Sequence, residues 1–206
     1  MKKITLSTAY LPPIDFFQAI GDSFFILLEK EEFYQKQSYR NRTCILSANG
    51  IQSLTIPIIQ NHIKTAIKDV RIDYKMPWQR THLRSIQAAY NNSPFFLYYQ
   101  DYIIPFYEKK EVFLFDFNHK LIETICNLLK WNPVFEFTTT YHETYPPDII
   151  DLRNAIHPKT SSPTLSSSNT KPYSQVFSSK FGFTPSLSII DLLFNEGAYA
   201  ISFLNV

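Results

Sequence analysis

Glycine is nearly missing from this chain, with four copies in 206 residues. Phosphate cradles rely on glycine for close backbone approach, so its scarcity argues against the common nucleotide-binding loops. The motifs that would carry such chemistry are absent too: no G-x-G-x-x-G, no Gly-rich loop ending in Gly-Lys-Ser/Thr, no G-x-S-x-G elbow, no H-E-x-x-H and no C-x-x-C. The five histidines, at 62, 82, 119, 142 and 157, include no i, i+4 pair on a helix. No metal is therefore expected, and no motif names a cofactor.

Cysteine is rare as well. Cys44 falls in a predicted strand and Cys126 on the apolar stripe of a predicted helix, which fits core thiols in a reducing compartment. No segment approaches the roughly 18 consecutive apolar residues of a spanning helix. Met1-Lys2-Lys3 is followed by Thr5, Ser7, Thr8, Pro12, Pro13 and Asp15, which is no signal peptide. The expectation is a cytoplasmic protein, neither exported nor membrane-integral, with peripheral contact to a membrane enzyme left open. Net charge is only +2, without the strong basic excess of a dedicated nucleic-acid binder.

What is present is a hydrophobic fraction of 45% with 16% aromatics, enough for one buried core. The reading is a single α/β domain over 1–206, a mixed β-sheet flanked by helices. Ile4–Leu11 alternates as a strand, Ile14–Ile20 has helical spacing and stops at Gly21, and Phe24–Leu28 reads as a buried strand. This is a β-α-β start if the pairing is parallel, with an antiparallel return as the alternative. Asn49-Gly50 separates two strands and favours a type I′ hairpin turn. Trp78, His82, Ile86 and Tyr90 define a helix after Pro77, and Phe95–Lys110 is helical with a break near Pro105. Val112–Phe117 carries no decisive pattern. Asn118 suits the N-cap of a helix over His119–Trp131, followed by a strand over Val134–Thr139. A short turn is expected within Asp148–Ile156, and residues 158–172 form a Ser/Thr/Pro-rich loop. The last elements are a helix over Ile189–Glu196, closed by Gly197, and a strand over Tyr199–Leu204.

The chain is organised around Glu29–Ile45, which sets Lys36, Arg40, Asn41 and Arg42 among Phe33, Tyr34 and Tyr39. Guanidinium forks beside an amide and aromatic rings suit a carboxylate, a phosphate or a sugar hydroxyl cluster. The alternative is an edge strand guarded by charges. His82, on the Trp78 stripe, is either a general base with a tuned pKa or a core histidine satisfied by one hydrogen bond. Ser188 and Asp191 have the S-x-x-D spacing of a capping box, which accounts for both. Tyr173 and Gln175 flank the loop and could touch a ligand as it closes. Asp148, Asp151 and His157 show no recognised spacing and receive no role.

Six segments in order, S-T-A-Y-L-P at 7–12, F-Y-Q-K-Q-S-Y-R-N-R at 33–42, L-T-I-P at 54–57, W-x-x-x-H at 78–82, Y-N-N-S-P-F-F at 90–96 and S-I-I-D-L-L-F-N-E-G at 188–197, resemble the WbqC-like family. The resemblance implies a role in surface-polysaccharide (O-antigen-type) biosynthesis, as an aminoacyl or acyl transferase acting on a sugar. It carries over Tyr10, Lys36, Asn41, Arg42, His82, Tyr90, Asn118, Gln175, Asp191 and Asn195. His82 is then the expected catalytic base, with Tyr10, Lys36, Arg40, Asn41, Arg42 and Gln175 holding a small-molecule donor and a sugar acceptor. Longer members have a Tyr-x-Ser-Gly-type stretch where this chain has Arg153–Lys159 and the Ser/Thr-rich loop. A non-catalytic protein recognising a sugar nucleotide, a nucleic acid or a glycan-assembly enzyme is the alternative.

Overall fold

A computed structural model describes residues 3–21, 25–59, 64–158 and 171–204. The expectations for Phe24, for His62 and for most of the 158–172 loop fall outside them. Parallel and antiparallel pairing are both present, divided between two sheets. The larger has four strands, all parallel, in the order β5 (Val134–Phe137), β2 (Phe25–Glu29), β1 (Lys3–Ser7), β6 (Ile149–Asp151). The smaller is the hairpin of β3 (Arg42–Ser47) and β4 (Gly50–Thr55).

Central strands of a parallel sheet are covered on both faces and so read as near-continuous apolar runs. Ile4 and Leu6 of β1, and Ile26 and Leu28 of β2, are all buried. Each contributes on the order of 1.5–3 kcal/mol by leaving water. The helix α1 (Ile14–Ile20) joins β1 to β2, its Phe16, Phe17 and Ile20 buried, and ends at Gly21 with φ 47°. The start of the chain is thus the parallel β-α-β unit.

The helix α2 (Trp78–Tyr90) matches its predicted span, and Pro105 divides α3 (Phe96–Ile103) from α4 (Pro105–Glu108). Other expectations change. The hairpin turn is Ala48-Asn49, with only Gly50 at positive φ, so it is not type I′. The helix α5 (Leu114–Leu128) begins well before Asn118. Asn118 is inside it, and its Nδ2 donates to the Arg40 carbonyl at 2.7 Å. The apolar stripe already runs through Leu114 and Phe117, and it outweighs the capping preference of one residue. Asp148–Ile156 contains a strand, β6, beside the expected turn. After a short α6 (Ser178–Phe181), α7 (Ile189–Glu196) forms as predicted, but the last segment, Gly197–Phe203, is a 3-10 helix and no strand.

Candidate functional site at the carboxyl edge of the sheet

Four parallel strands bring their carboxyl ends, Ser7, Glu29, Phe137 and Asp151, to one edge. In open α/β sheets ligands bind outside this edge, where connections from adjacent strands diverge. Here β1 leads through α1 to β2 on one side, while β6 lies on the other.

The edge carries buried charge at Glu29, Glu32, Arg40 and Arg153, with Asp151 at the surface. Arg40 grips Glu32 with two bonds, Nε to Oε1 at 2.8 Å and Nη2 to Oε2 at 2.5 Å. Its Nη2 also donates to Ser7 Oγ at 2.7 Å. Ser7 Oγ lies 3.1 Å from both Glu32 Oε2 and the Arg153 carbonyl. Arg153 donates to Asp151 Oδ2 at 2.6 Å, to Glu29 Oε2 at 3.1 Å and to the His142 and Glu143 carbonyls. Glu29, 0% exposed, further accepts from Thr138 Oγ1 and Tyr145 OH. Burial would raise the Asp151 carboxyl, but the hydrogen bonds from Arg153 hold it below its usual range. Desolvation makes buried ion networks poor sources of stability. A network of this size at a binding edge therefore points to organisation of a site.

Beside it opens a cavity of about 300 Å³ lined by Glu32, Phe33, Tyr34, Gln35, Lys64, Tyr141, Arg153 and Asn154. Phe33 and Tyr141 are 55% and 53% exposed. Tyr141 and Tyr145 also flank the Arg153 guanidinium, 5.2 and 4.8 Å from their ring centres. Rings, amides and charge on one concavity suit a sugar or another ligand with flat apolar faces and hydroxyls.

The predicted site residues are spread over three places. In the first, residues 30–41 form an irregular connection and no edge strand. Lys36 is exposed on a turn there, and Arg40 is committed to Glu32 and Ser7. Asn41 ties that connection to the hairpin, accepting from Tyr34 OH at 3.0 Å and donating to the Ile56 carbonyl at 2.8 Å. Arg42 has a buried Nε with no hydrogen-bond partner. Its charge and that of Arg40 pull the Tyr34 hydroxyl down, against burial, which pushes it up further.

Tyr10 and His82 occupy the second place, the interior. Tyr10 OH bridges His82 Nδ1 at 2.9 Å and Tyr107 OH at 2.7 Å. Trp78 packs edge-on to the imidazole, 5.1 Å between centres. His82 is 5% exposed and lines none of the cavity at the sheet edge. Burial lowers its pKa to about 4, opposed by a hydrogen bond to the Thr55 backbone.

Gln175 is in the third, where its Nε2 donates to the Thr184 carbonyl and to Asp191 Oδ2, and Tyr173 OH donates to the same oxygen at 2.6 Å. Burial raises the Asp191 carboxyl. The Tyr90 hydroxyl faces it and the Leu46 backbone without a well-aligned bond to either. Asn195 donates to the Asp191 carbonyl. The expected capping box is not formed, because Ser188 Oγ donates to the Leu11 carbonyl and Asp191 serves Tyr173 and Gln175.

Sequence reasoning missed Ser7, Glu29, Glu32, Asp151, Arg153 and Tyr141 as one group. A usable signal was a polar residue ending each buried strand, as in Ile4-Thr-Leu-Ser7 and Ile26-Leu-Leu-Glu29. Among the described residues no group of three His, Cys, Asp or Glu is placed to hold a metal ion, and no helix is long and apolar enough to cross a membrane.

No solved structure matches this chain. It is similar to an uncharacterized protein of Mycobacterium tuberculosis (strain ATCC 25618 / H37Rv), Rv1507c, at 26% identity over 235 residues covering 99% of this chain and 98% of that protein. The model of the WbqC-like protein family matches residues 8–162, a span that includes every residue lining the cavity. On that match, the chain belongs to the WbqC-like protein family.

Proposed function

We propose that the protein is a transferase in cell-surface polysaccharide assembly that moves an aminoacyl or acyl group to a sugar held at the carboxyl edge of the parallel sheet. The observation that carries this reading is the cavity itself, where exposed rings and the amides of Gln35 and Asn154 meet a fixed carboxylate, Glu32. A sugar hydroxyl or amine would attack the acyl carbon, its proton would pass to Glu32, and the donor's leaving group would depart. The Gln35 and Asn154 amides would donate to the developing oxyanion. Of the predicted cations, Lys36 and Arg42 have no carboxylate partner among the described residues, and Lys36, exposed on its turn, is the one open to an anionic group. In this reading Tyr10 and His82 support the fold around the hairpin, and Arg40, Asn41 and Gln175 position the segments that bear the site.

Mass spectrometry of amino sugars and sugar nucleotides incubated with acyl thioesters or aminoacyl donors checks it. The expected outcome is a mass gain of one acyl group that Glu32→Gln abolishes, while His82→Gln loses stability before turnover. Turnover that survives Glu32→Gln and vanishes in folded His82→Gln would move the proton transfer to His82.

A non-catalytic binding role is favoured by one observation: Glu29, Glu32 and Asp151 are all paired with guanidinium groups, so protonating any of them, Glu32 included, weakens an ion pair. Sugar binding at this edge without acyl gain from any donor would select it.

A further inference from the structure

Three charged side chains line the cavity, Glu32, Lys64 and Arg153, and two of them are already matched. Glu32 is held by Arg40 in two bonds, and Arg153 is paired with Glu29 and Asp151. Every nitrogen of the Arg153 guanidinium donates to a protein oxygen, on Asp151, on Glu29 or on the His142 and Glu143 carbonyls, so none is left uncommitted. Lys64 has no carboxylate partner among the described residues. Its place is nonetheless fixed by the backbone. The Tyr34 N–H donates to the Thr65 carbonyl at 3.0 Å and the Ile67 N–H to the Glu32 carbonyl at 2.8 Å, with Phe33 bridged to Ala66 between them. This antiparallel run sets Lys64 beside the segment that bears Phe33, and its Nζ stands 5.8 Å from the centre of that ring. A ligand seated on the exposed Phe33 is thus within reach of an uncompensated ammonium.

That charge discriminates between sugars. A ligand ammonium would be repelled by Lys64, and a neutral sugar would leave Lys64 to water. A carboxylate would meet it in a charge-assisted bond, and Arg40 keeps Glu32 from opposing that contact. A phosphate monoester carries close to two charges, against the single unmatched cation of the wall. The volume of about 300 Å³ lies at the low end for small-molecule sites, which suits one monosaccharide and no larger conjugate. We infer that the sugar held here is acidic, a monosaccharide with one carboxylate, its apolar face on Phe33 and Tyr141 and its carboxylate on Lys64. The inference rests on the transferase's sugar site being this cavity, and it adds the charge of that sugar.

NMR titration of the isotope-labelled full chain in low-salt buffer tests it. The probes are the methyl glycosides of glucuronate, galacturonate and mannuronate, each beside its neutral hexose counterpart, with glucosamine, glucose 1-phosphate and acetate as controls. At least one uronate is expected to bind about fivefold more tightly than its neutral counterpart, the effect of one charge-assisted contact. That preference should vanish in Lys64→Gln, return in Lys64→Arg and persist in Lys36→Gln, whereas Phe33→Ala should weaken the uronate and the neutral sugar alike. Lys64 and Phe33 are both exposed, so these variants keep the fold. Equal affinity for uronate and neutral sugar, tighter binding of glucosamine or glucose 1-phosphate, acetate binding as well as the uronate, a preference that survives Lys64→Gln, or no sugar bound at all would each overturn the inference. Equal affinity, with acyl gain on the neutral sugar, would leave the transferase reading standing. A uronate preference lost in Lys64→Gln, without acyl gain from any donor, would support the inference while removing that reading.

Discussion

His82 meets Tyr10, Trp78 and the Thr55 backbone in a space that excludes water, and its burial sets a pH limit on the fold. Its pKa lies at about 4 in the folded chain against the ordinary 6.5. Between those values the unfolded chain binds a proton that the folded chain refuses, so stability falls as pH drops through this window. The loss from this one group is about 3 kcal/mol at most. Urea unfolding at pH 7 and pH 4.5 measures it. In His82→Gln the drop between the two conditions should shrink, and an unchanged drop would assign the acid sensitivity elsewhere, with His119, also lowered by burial, the next group to replace.

Gly197 joins α7 to the terminal 3-10 helix at φ 59° and faces the Phe95 ring, where an added Cβ would come within 2.7 Å of Cδ1. Backbone strain and overpacking therefore act together in Gly197→Ala. The expected loss is about 2–4 kcal/mol, read as a lower thermal and urea midpoint. An unchanged midpoint would mean that the Phe95 ring moves aside freely. That Gly197 closes a helix was legible from its sequence position, as were Trp78–Tyr90, the break at Pro105, and the hairpin. These are local patterns, fixed by spacing of a few residues. The conformation of the chain beyond Gly197 was not legible: the apolar residues of Tyr199–Leu204 fit a strand, but the segment pairs with neither sheet and closes on itself in a 3-10 turn. Asn118 misled for a similar reason. Its capping chemistry was real in the abstract, yet its amide is used on the Arg40 carbonyl across the fold. The Ser188–Asp191 spacing concealed a contact to Tyr173 in the same way. The candidate site lay furthest from view because Ser7, Glu29 and Asp151 meet only after three strands have paired in register.

At the level of the whole molecule, the hairpin, α2 and α5 form a body beside the parallel sheet, tied to it by Asn118, Tyr10 and the bond from Thr43 Oγ1 to the Leu11 carbonyl. The sheet depends on segments far apart in the chain. A chain ended after Tyr145 lacks β6, α7 and the clamp of Arg153 on Glu29. It should fail to unfold cooperatively and should self-associate in size-exclusion chromatography; a monomer with a sharp transition would show that the remaining strands suffice. The reason is in the placement of β1, first in sequence but internal in space. Its partner β6 and the Arg153 carbonyl that receives Ser7 are made 146 residues later. On a ribosome, one side of β1 waits through 146 further residues as an unpaired template, open to any passing strand. That exposure during translation ends only when the Arg153 segment emerges and closes the sheet on β1.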